Sequence, residues 1–210
     1  MLPDTMKFAK THDFEQPTLH MRFVGNPGTG KTTVARALGK LLAERGVLRK
    51  GAFFECAARS LCGQYLGQTA PRTAEICREA YGSVLFIDEA YALYRGERDG
   101  DAYGKEAIDT LIAEMENHRA DFVVIMAGYP DEMQTLLDAN PGLESRMPYV
   151  IVFPDYDRAA LAEIFLRFCG GRIAVADDFA AAVQAYFAAL PDAVLKSKNF
   201  SNARFVRNLF

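Results

Sequence analysis

The sequence predicts an α/β protein in which a mainly parallel sheet carries helices on both faces and is followed by a smaller region of helices alone. Two observations predict this fold. Up to residue 154, apolar runs typical of buried strands alternate with segments whose apolar residues recur at helical spacing. From Asp155 onward the strand signals stop and only helical spacing continues. We therefore expect an N-terminal extension over residues 1–17, an α/β core over 18–154 and a helical region over 155–210.

The expected elements follow one another along the chain. Met21 to Val24 forms a first strand that runs into a glycine-rich turn and a helix, and Gly46 suits the C-terminal cap of that helix. Two helices are expected between the later strands, over 69–81 and 108–115. The later strands are expected at 51–57, 83–87, 122–127 and 149–153, and the final helices at 158–169, 177–190 and from about 201.

Composition narrows the class of protein. The 210 residues, 50% of them hydrophobic and 24% charged, suit one or two compact domains. A formal net charge of −3 with no long basic run does not favour a nucleic-acid surface. The absence of a long apolar run and of a secretion signal predicts a cytoplasmic protein without a membrane partner. Four cysteines without a C-x-x-C pair and three scattered histidines favour reduced structural thiols over a metal site or disulfides.

The glycine-rich turn matches G-x-x-x-x-G-K-[ST], the P-loop pattern, in its required place between a strand and a helix. The glycines let backbone N–H groups curl around phosphate, and the helix N-terminus favours the anion. Lys31 would reach the β- and γ-phosphates, and the Thr32 hydroxyl would bind Mg²⁺. The alternative is a glycine turn before an ordinary helix. We expect a nucleoside triphosphate to be bound by Gly25, Asn26, Pro27, Gly28, Thr29, Gly30, Lys31, Thr32 and Thr33.

Two acids, Asp88 and Glu89, directly follow an apolar strand-like run. A buried strand would deliver them to the sheet edge where the phosphates lie. Asp88 would hold Mg²⁺, directly or through water, and Glu89 would polarise the attacking water. Acids commonly end strands, so the pair indicates a catalytic site only in combination with the upstream glycine-rich loop. Together the two motifs favour a nucleotide hydrolase over a nucleotide switch.

These two motifs resemble those of the AAA+ ATPases. Further segments resemble the branch that contains the rubisco-activase CbbX and the stage V sporulation protein K. The resemblance implies a P-loop AAA+ core, a small helical lid and a ring-shaped homo-oligomer, which is a hexamer in the family. In family order, the segments are 25–32, 64–71, 84–93, 124–129, 140–146 and 200–204.

The resemblance also implies roles for residues outside the P-loop. Tyr65, Leu66 and Gly67 match the central-pore loop, in which an aromatic ring offers a client polypeptide a large apolar area with few rotatable bonds. Arg146 matches the arginine finger, which reaches the γ-phosphate bound by the neighbouring subunit. Arg204 matches sensor 2, which links the lid to the nucleotide. The ordinary alternatives are a core tyrosine beside a turn glycine for Tyr65 and a solvated surface arginine for Arg146.

The sequence departs from the family pattern in places. The fourth strand ends in Ala127 and Gly128, where the family usually has a polar sensor beside the catalytic water, so that role is unassigned. Arg207 lies one turn after Arg204, on the same face of the expected helix, and is a weaker candidate for the same role. The chain stops inside its last expected helix, so we expect a truncated lid and a fragment of a longer protein. The charged loop over 94–101 suits a second pore loop or a solvated surface loop.

The expected function is ATP-dependent protein remodelling by a ring that pulls a client polypeptide through its central pore. Lys31, Glu89, Arg146 and Arg204 would be catalytic, with Mg²⁺ held by Thr32 and Asp88. One alternative is an ATP-binding scaffold or switch with little hydrolysis. Another is a nucleic-acid motor or loader built on the same core, which the net charge disfavours. The client is not identified, and the resemblance does not make it rubisco.

Overall fold

The computed structural model describes residues 18–94, 102–170, 178–197 and 200–210. The chain forms two compact units, the first comprising the residues up to Val24 and Thr32–Val152, the second Gly25–Lys31 and Phe153–Phe210. The glycine-rich turn therefore groups with the C-terminal helices. The domain boundaries expected from the sequence stay a prediction. The extension over 1–17 and most of the loop over 94–101 lie outside the described residues.

A five-stranded sheet dominates the described part of the first unit, in the order β2-β3-β4-β1-β5. The pairs β1–β4, β2–β3 and β3–β4 are parallel, which confirms the predicted parallel sheet. β4 is buried along its whole length and β3 everywhere except its last residue, because central strands of such a sheet have both faces covered. The strands are β1 (Met21–Gly25), β2 (Phe53–Ala57), β3 (Val84–Asp88), β4 (Val123–Gly128) and β5 (Tyr149–Phe153).

Helices follow the strands and then continue alone, as the sequence predicts. Three of them, which begin at Pro130, Pro141 and Asp192, are not predicted by the apolar spacing. Two of these three begin at Pro130 and Pro141, because proline has a fixed φ suited to the first helical position and needs no N–H partner there. In chain order the α-helices are α1 (Lys31–Glu44), α2 (Thr69–Glu79), α3 (Ala102–Asn117), α4 (Pro130–Asp138), α5 (Pro141–Arg146), α6 (Arg158–Cys169), α7 (Phe179–Ala188), α8 (Asp192–Leu195) and α9 (Ala203–Leu209).

Each unit has an apolar core of its own. In the first unit, α3 buries Ile108, Leu111 and Met115, spaced to form one helical stripe, in a cluster with side chains of β3 and β4. In the second unit the cluster joins α6, α7 and α9, with Leu161 and Phe187 fully buried. The glycine-rich turn thus belongs to a unit with its own hydrophobic support.

β5 lies at one edge of the sheet formed by the described residues. Its first four side chains are apolar or aromatic, and they are between 37% and 66% exposed, from Tyr149 to Val152. Pro148 and Pro154 bracket the strand. This edge therefore presents an uncharged surface to solvent.

His20, just before β1, is fully buried and ties three elements together. Its Nδ1 accepts the N–H of Val124 at 3.0 Å, and its Nε2 lies 3.2 Å from the carbonyl of Met115. These partners require the tautomer with the proton on Nε2. Burial lowers the pKa of His20 to about 4, since a charged ring loses its hydration there. The imidazole is therefore neutral at physiological pH.

Across the described ranges, no helix is both long and apolar enough to cross a membrane. The same ranges contain no group of three His, Cys, Asp or Glu side chains that could hold a metal ion. The four cysteines are free thiols. Burial raises the pKa of the Cys77 thiol to about 12, so it stays protonated and unreactive at neutral pH.

Candidate nucleotide-binding site

The glycine-rich turn between β1 and α1 has five consecutive carbonyl groups, of residues 25–29, that all accept hydrogen bonds. The first two are engaged within the turn. Lys31 Nζ donates to the oxygen of Gly25 at 2.7 Å and to that of Asn26 at 2.8 Å. The Thr29 hydroxyl donates to the Asn26 carbonyl as well, at 2.8 Å. The ammonium group of Lys31 thus lies against the backbone of the turn.

The next three carbonyl groups are held by residues that follow β5 in the same unit. Because the described chain contains no cis peptide bond, the N–H of each of these peptides points away from its carbonyl. The N–H groups of Gly28, Thr29 and Gly30 are therefore turned away from Asn202, Ala203 and Tyr156, as an anion-binding backbone nest requires. The bonds are Asn202 Nδ2 to Pro27 O (3.3 Å), Ala203 N–H to Gly28 O (3.1 Å) and the Tyr156 hydroxyl to Thr29 O (3.0 Å).

Gly28 cannot carry a side chain in this arrangement. Its φ is +72°, and a Cβ would lie 2.1 Å from the carbonyl oxygen of Ser201 and 3.0 Å from the backbone nitrogen of Arg204. The same approach places the backbone of Arg204, the sensor 2 candidate, beside the turn. The side chain of Arg204 is exposed.

The first turn of α1 follows directly and contains Thr32 and Thr33. Their backbone N–H groups belong to the helix N-terminus, where they have no intrahelical partner and where the helix dipole is positive. Thr32 is half-buried and Thr33 is exposed. The local geometry suits an anion at the start of α1.

Asp88 and Glu89 stand at the carboxyl end of β3, in the first unit. Asp88 Oδ1 accepts the N–H of Glu89 at 3.0 Å. Glu89 has φ 51° and ψ 43°, in the left-handed region that costs a non-glycine residue about 1–2 kcal/mol. Strain of this kind concentrates at functional sites. The sequence predicts the acids but gives no signal for the strain.

Gly128, at the end of β4, explains why no polar sensor stands there. A Cβ at this position would lie 2.7 Å from the ring of Tyr91 and 2.8 Å from the side chain of Met133. Burial, and to a lesser degree the charge of Glu89, raises the pKa of Tyr91 to about 12. The space is thus filled by packing, and Tyr91 keeps its hydroxyl proton.

Tyr65 and Leu66 project from a turn before α2. Their side chains are 68% and 84% exposed. Gly67 has φ +78° and no atom within 4 Å of a Cβ built on it. Two adjacent large apolar side chains in solvent are the feature that a client-binding loop needs. Their role as a pore loop stays a prediction.

Arg146, at the end of α5, is held by its own chain. Its Nε lies 3.0 Å from a carboxylate oxygen of Glu116, and its Nη1 donates to the carbonyl of Gly142 at 2.9 Å. Glu116, at the end of α3, also pairs with Arg119, and the pKa of its carboxyl is lowered first by Arg119 and then by Arg146. Its pairing with Arg146 is not predicted by the sequence, because the two lie on different helices. The guanidinium is therefore fixed in direction.

The structure divides the predicted site residues between its two units. The second unit contains Gly25–Lys31 and Arg204, whose backbones lie side by side. The first unit contains Asp88 and Glu89, which adjoin each other, and separately Thr32, Thr33, Arg146 and the turn at Tyr65. The roles assigned to these residues stay predictions. Four further residues that hydrogen-bond to the loop are not among the predicted site residues: Asp155, Tyr156, Asn202 and Ala203.

Comparison with known proteins gives the same family. The family described as "ATPase family associated with various cellular activities (AAA)" matches residues 21–155. Protein CfxQ of Xanthobacter flavus is 48% identical over 195 residues, which cover 91% of this chain and 59% of that protein. Stage V sporulation protein K of Bacillus subtilis is 47% identical over 193 residues, with 91% and 59% covered.

A third relative is protein CbbX of Cereibacter sphaeroides, 46% identical over 195 residues that cover 92% of this chain and 62% of that protein. The chain thus spans about six tenths of the length of these curated relatives. The region matched by the family contains the glycine-rich turn, both acids and Arg146. The chain therefore belongs to the AAA family of ATPases, in the branch of CbbX and stage V sporulation protein K.

Proposed function

We propose that this protein is an ATP-driven remodelling enzyme that works as a ring of identical subunits and pulls on a client polypeptide. One observation carries the nucleotide part of the proposal. Three successive peptides of the turn are tied down through their carbonyl groups, so that the N–H groups of Gly28, Thr29 and Gly30 are preset for phosphate. Such a nest costs no reorganisation when the anion arrives.

The proposed chemistry follows from the other predicted site residues. Lys31 would exchange its contacts with the loop carbonyls for phosphate oxygens. Thr32 and Asp88 offer the oxygen donors that Mg²⁺ prefers, and Mg²⁺ held there would neutralise charge on the phosphates. Glu89 would orient and polarise the water that attacks the γ-phosphate. The strained backbone of Glu89 supports this role, since strain marks functional positions.

Two features support work by a ring. Arg146 is an arginine whose direction is fixed by Glu116 and Gly142, which suits a guanidinium that acts on a phosphate bound by the next subunit. Tyr65 and Leu66 form an exposed apolar pair that could grip a polypeptide of any sequence. We propose a hexamer, as the family resemblance implies, with this pair facing the pore.

The test is ATP hydrolysis measured against protein concentration, for the wild type and for an equimolar mixture of Lys31→Ala and Arg146→Ala. Each variant alone is expected to be inactive. In a mixed ring, roughly one quarter of the interfaces join an intact Lys31 to an intact Arg146, so activity returns in part. Activity that rises with concentration and is partly restored on mixing supports the shared site.

Other outcomes identify the alternatives. Activity that is independent of concentration, without restoration on mixing, would contradict the action of Arg146 on a neighbour. ATP binding without turnover would indicate a scaffold or switch. Binding to DNA that weakens steeply with salt would indicate a nucleic-acid motor instead.

The pore loop needs its own pair of variants. Tyr65→Ala is expected to keep basal hydrolysis and to lose stimulation by a permanently unfolded polypeptide, because the aromatic grip is gone. Tyr65→Phe keeps the ring and is expected to retain that stimulation. Equal stimulation of both variants would rule out Tyr65 as the client contact.

A further inference from the structure

We infer that Asn202, with Asp155 and Tyr156, forms a polar clasp that sets the conformation of the phosphate loop. The inference rests on the proposal that the loop binds the phosphates of ATP. It assigns a positioning role to three residues outside the loop. Two of them follow β5, and Asn202 precedes α9. All three belong to the same compact unit as Gly25–Lys31.

The backbone of Asn202 is the first observation. With φ 49° and ψ −121°, it adopts a conformation that glycine accepts and that L-residues with a side chain rarely occupy. The residue is also completely buried. A strained asparagine, where glycine would relieve the strain, indicates that the side chain is needed at this point.

The contacts of the Asn202 amide show what the side chain does. Its Oδ1 accepts the N–H of Tyr156 at 2.8 Å. Its Nδ2 donates to Asp155 Oδ1 at 2.7 Å and to the carbonyl of Pro27 at 3.3 Å. Both amide hydrogens and the oxygen are thus engaged. A flipped amide would oppose donor to donor and acceptor to acceptor, so only one orientation fits.

Asp155 extends the same network to the loop by a second route. Its two carboxylate oxygens accept from Asn26 Nδ2, at 3.0 Å and 2.9 Å. One carboxylate therefore receives hydrogen bonds from an asparagine of the loop and from Asn202. Hydrogen bonds to a charged acceptor are stronger than neutral ones, which makes Asp155 the centre of the clasp.

The clasp controls the groups that would meet phosphate. Asn202 holds the Pro27 carbonyl, and the Tyr156 hydroxyl holds the Thr29 carbonyl. Because each peptide is planar and trans, the N–H groups of Gly28 and Gly30 cannot rotate toward the two residues that hold these carbonyl groups. Without the clasp, the loop would lose its preset form and would have to be ordered by the nucleotide. Affinity for ATP would fall, whereas the acids that act on water would be untouched.

The decisive variant is Asn202→Asp, which keeps the size of the side chain, removes both donors and sets a carboxylate against Asp155. We expect its ATP affinity, measured with a fluorescent ATP analogue, to fall at least tenfold, since two hydrogen bonds are lost and a repulsion is added. KM should rise more than kcat falls. The matched control is Asn208→Asp, the same change at an exposed position of α9, which should bind as the wild type does.

Rescue separates positioning from general damage. The double variant Asn202→Asp with Asp155→Asn restores one amide–carboxylate pair with the roles exchanged, and it keeps an acceptor for Tyr156 N–H. We expect it to bind ATP more tightly than Asn202→Asp alone, although the bond to the Pro27 carbonyl is still missing. If the loss of ATP-binding free energy in the double variant equals the sum of the losses in the two single variants, the clasp is not a coupled unit and the inference is overturned.

A further variant covers the case in which Asn202→Asp does not fold. Tyr156→Phe deletes only the hydroxyl that holds the Thr29 carbonyl, and we expect about threefold to tenfold weaker ATP binding. Unchanged affinity in folded Tyr156→Phe and folded Asn202→Asp, beside a wild type that binds ATP, overturns the clasp. A wild type that does not bind ATP overturns the proposed function instead.

Discussion

Glu89 is the residue at which strain and catalysis can be separated by experiment. Its left-handed backbone costs a side-chain-bearing residue about 1–2 kcal/mol relative to glycine. Part of this gain is lost, because the more flexible unfolded chain of the glycine variant lowers the free energy of unfolding by about 0.5–1 kcal/mol. The folded protein with Glu89→Gly should therefore be more stable than the one with Glu89→Ala by about 0.5–1 kcal/mol.

The assay is thermal unfolding followed by circular dichroism, without nucleotide. For a chain of this size, a difference of that magnitude corresponds to roughly 1–4 °C in Tm. Both variants should lose ATP hydrolysis, since both lack the carboxylate. Glu89→Gln, which keeps the strained backbone and a side chain of similar size, should melt close to the wild type and should also be inactive.

The control is the same pair of substitutions at Lys40, an exposed position in the middle of α1. There the order should reverse, with Lys40→Ala more stable than Lys40→Gly by about 1 kcal/mol, because helix propensity alone decides. If alanine is as stable as glycine at position 89, the strain argument is wrong. If Glu89→Gln retains turnover, Glu89 is not the residue that activates water.

Three other predictions concern separate features. His20 has a pKa of about 4 in the folded protein against 6.5 in the unfolded chain, so the free energy of unfolding should be highest above pH 6.5 and fall by roughly 3 kcal/mol as the pH drops to 4. In urea titrations at several pH values, His20→Gln should weaken this dependence of the free energy of unfolding on pH. An equal pH dependence in His20→Gln and the wild type would contradict the role of His20. Glu116→Gln should lower the kcat of the assembled protein several-fold without changing KM, because Arg146 loses its charged partner. A kcat and KM equal to those of the wild type would show that the pairing does not contribute to turnover. Gly28→Ala should destabilise the fold by about 2 kcal/mol or more, because its Cβ would lie 2.1 Å from the carbonyl oxygen of Ser201. A Tm within about 2 °C of the wild type would refute the close approach of Gly28 to Ser201.

The parts of the fold that the sequence predicts are those decided by local pattern. β3 and β4 are apolar throughout, because both of their faces are covered, and their bounds differ from the predicted ones by a residue at each end. α6 has its predicted bounds, since Asp157 caps it through the N–H of Ala160. α3 is longer than predicted, because its first turn, Ala102 to Lys105, contains a glycine and no Leu, Ile, Val or Met that would mark an apolar stripe.

The candidate site divides in the same way. The loop Gly25–Thr32 and the pair of acids are contiguous in sequence, so a motif can reveal them. The partner of Arg146 lies on another helix, and Asn202 meets Asp155 across 47 positions of the chain. Contacts of this kind depend on how elements approach each other, which no spacing pattern records. The left-handed backbone of Glu89 is also invisible to sequence, because glutamate is not a residue that favours it.

The exposed edge strand β5 has a consequence for how the protein behaves in concentrated solution. Within the described residues β5 is the last strand of the sheet, and its uncharged side chains and outer edge can pair with the same strand of another molecule, a contact that needs no nucleotide. Pro148 and Pro154 limit such a contact to five residues, fewer than the six or seven that a stable cross-β assembly uses. We therefore expect adhesion at this edge to be weak and reversible, with the two prolines as gatekeepers against fibre growth.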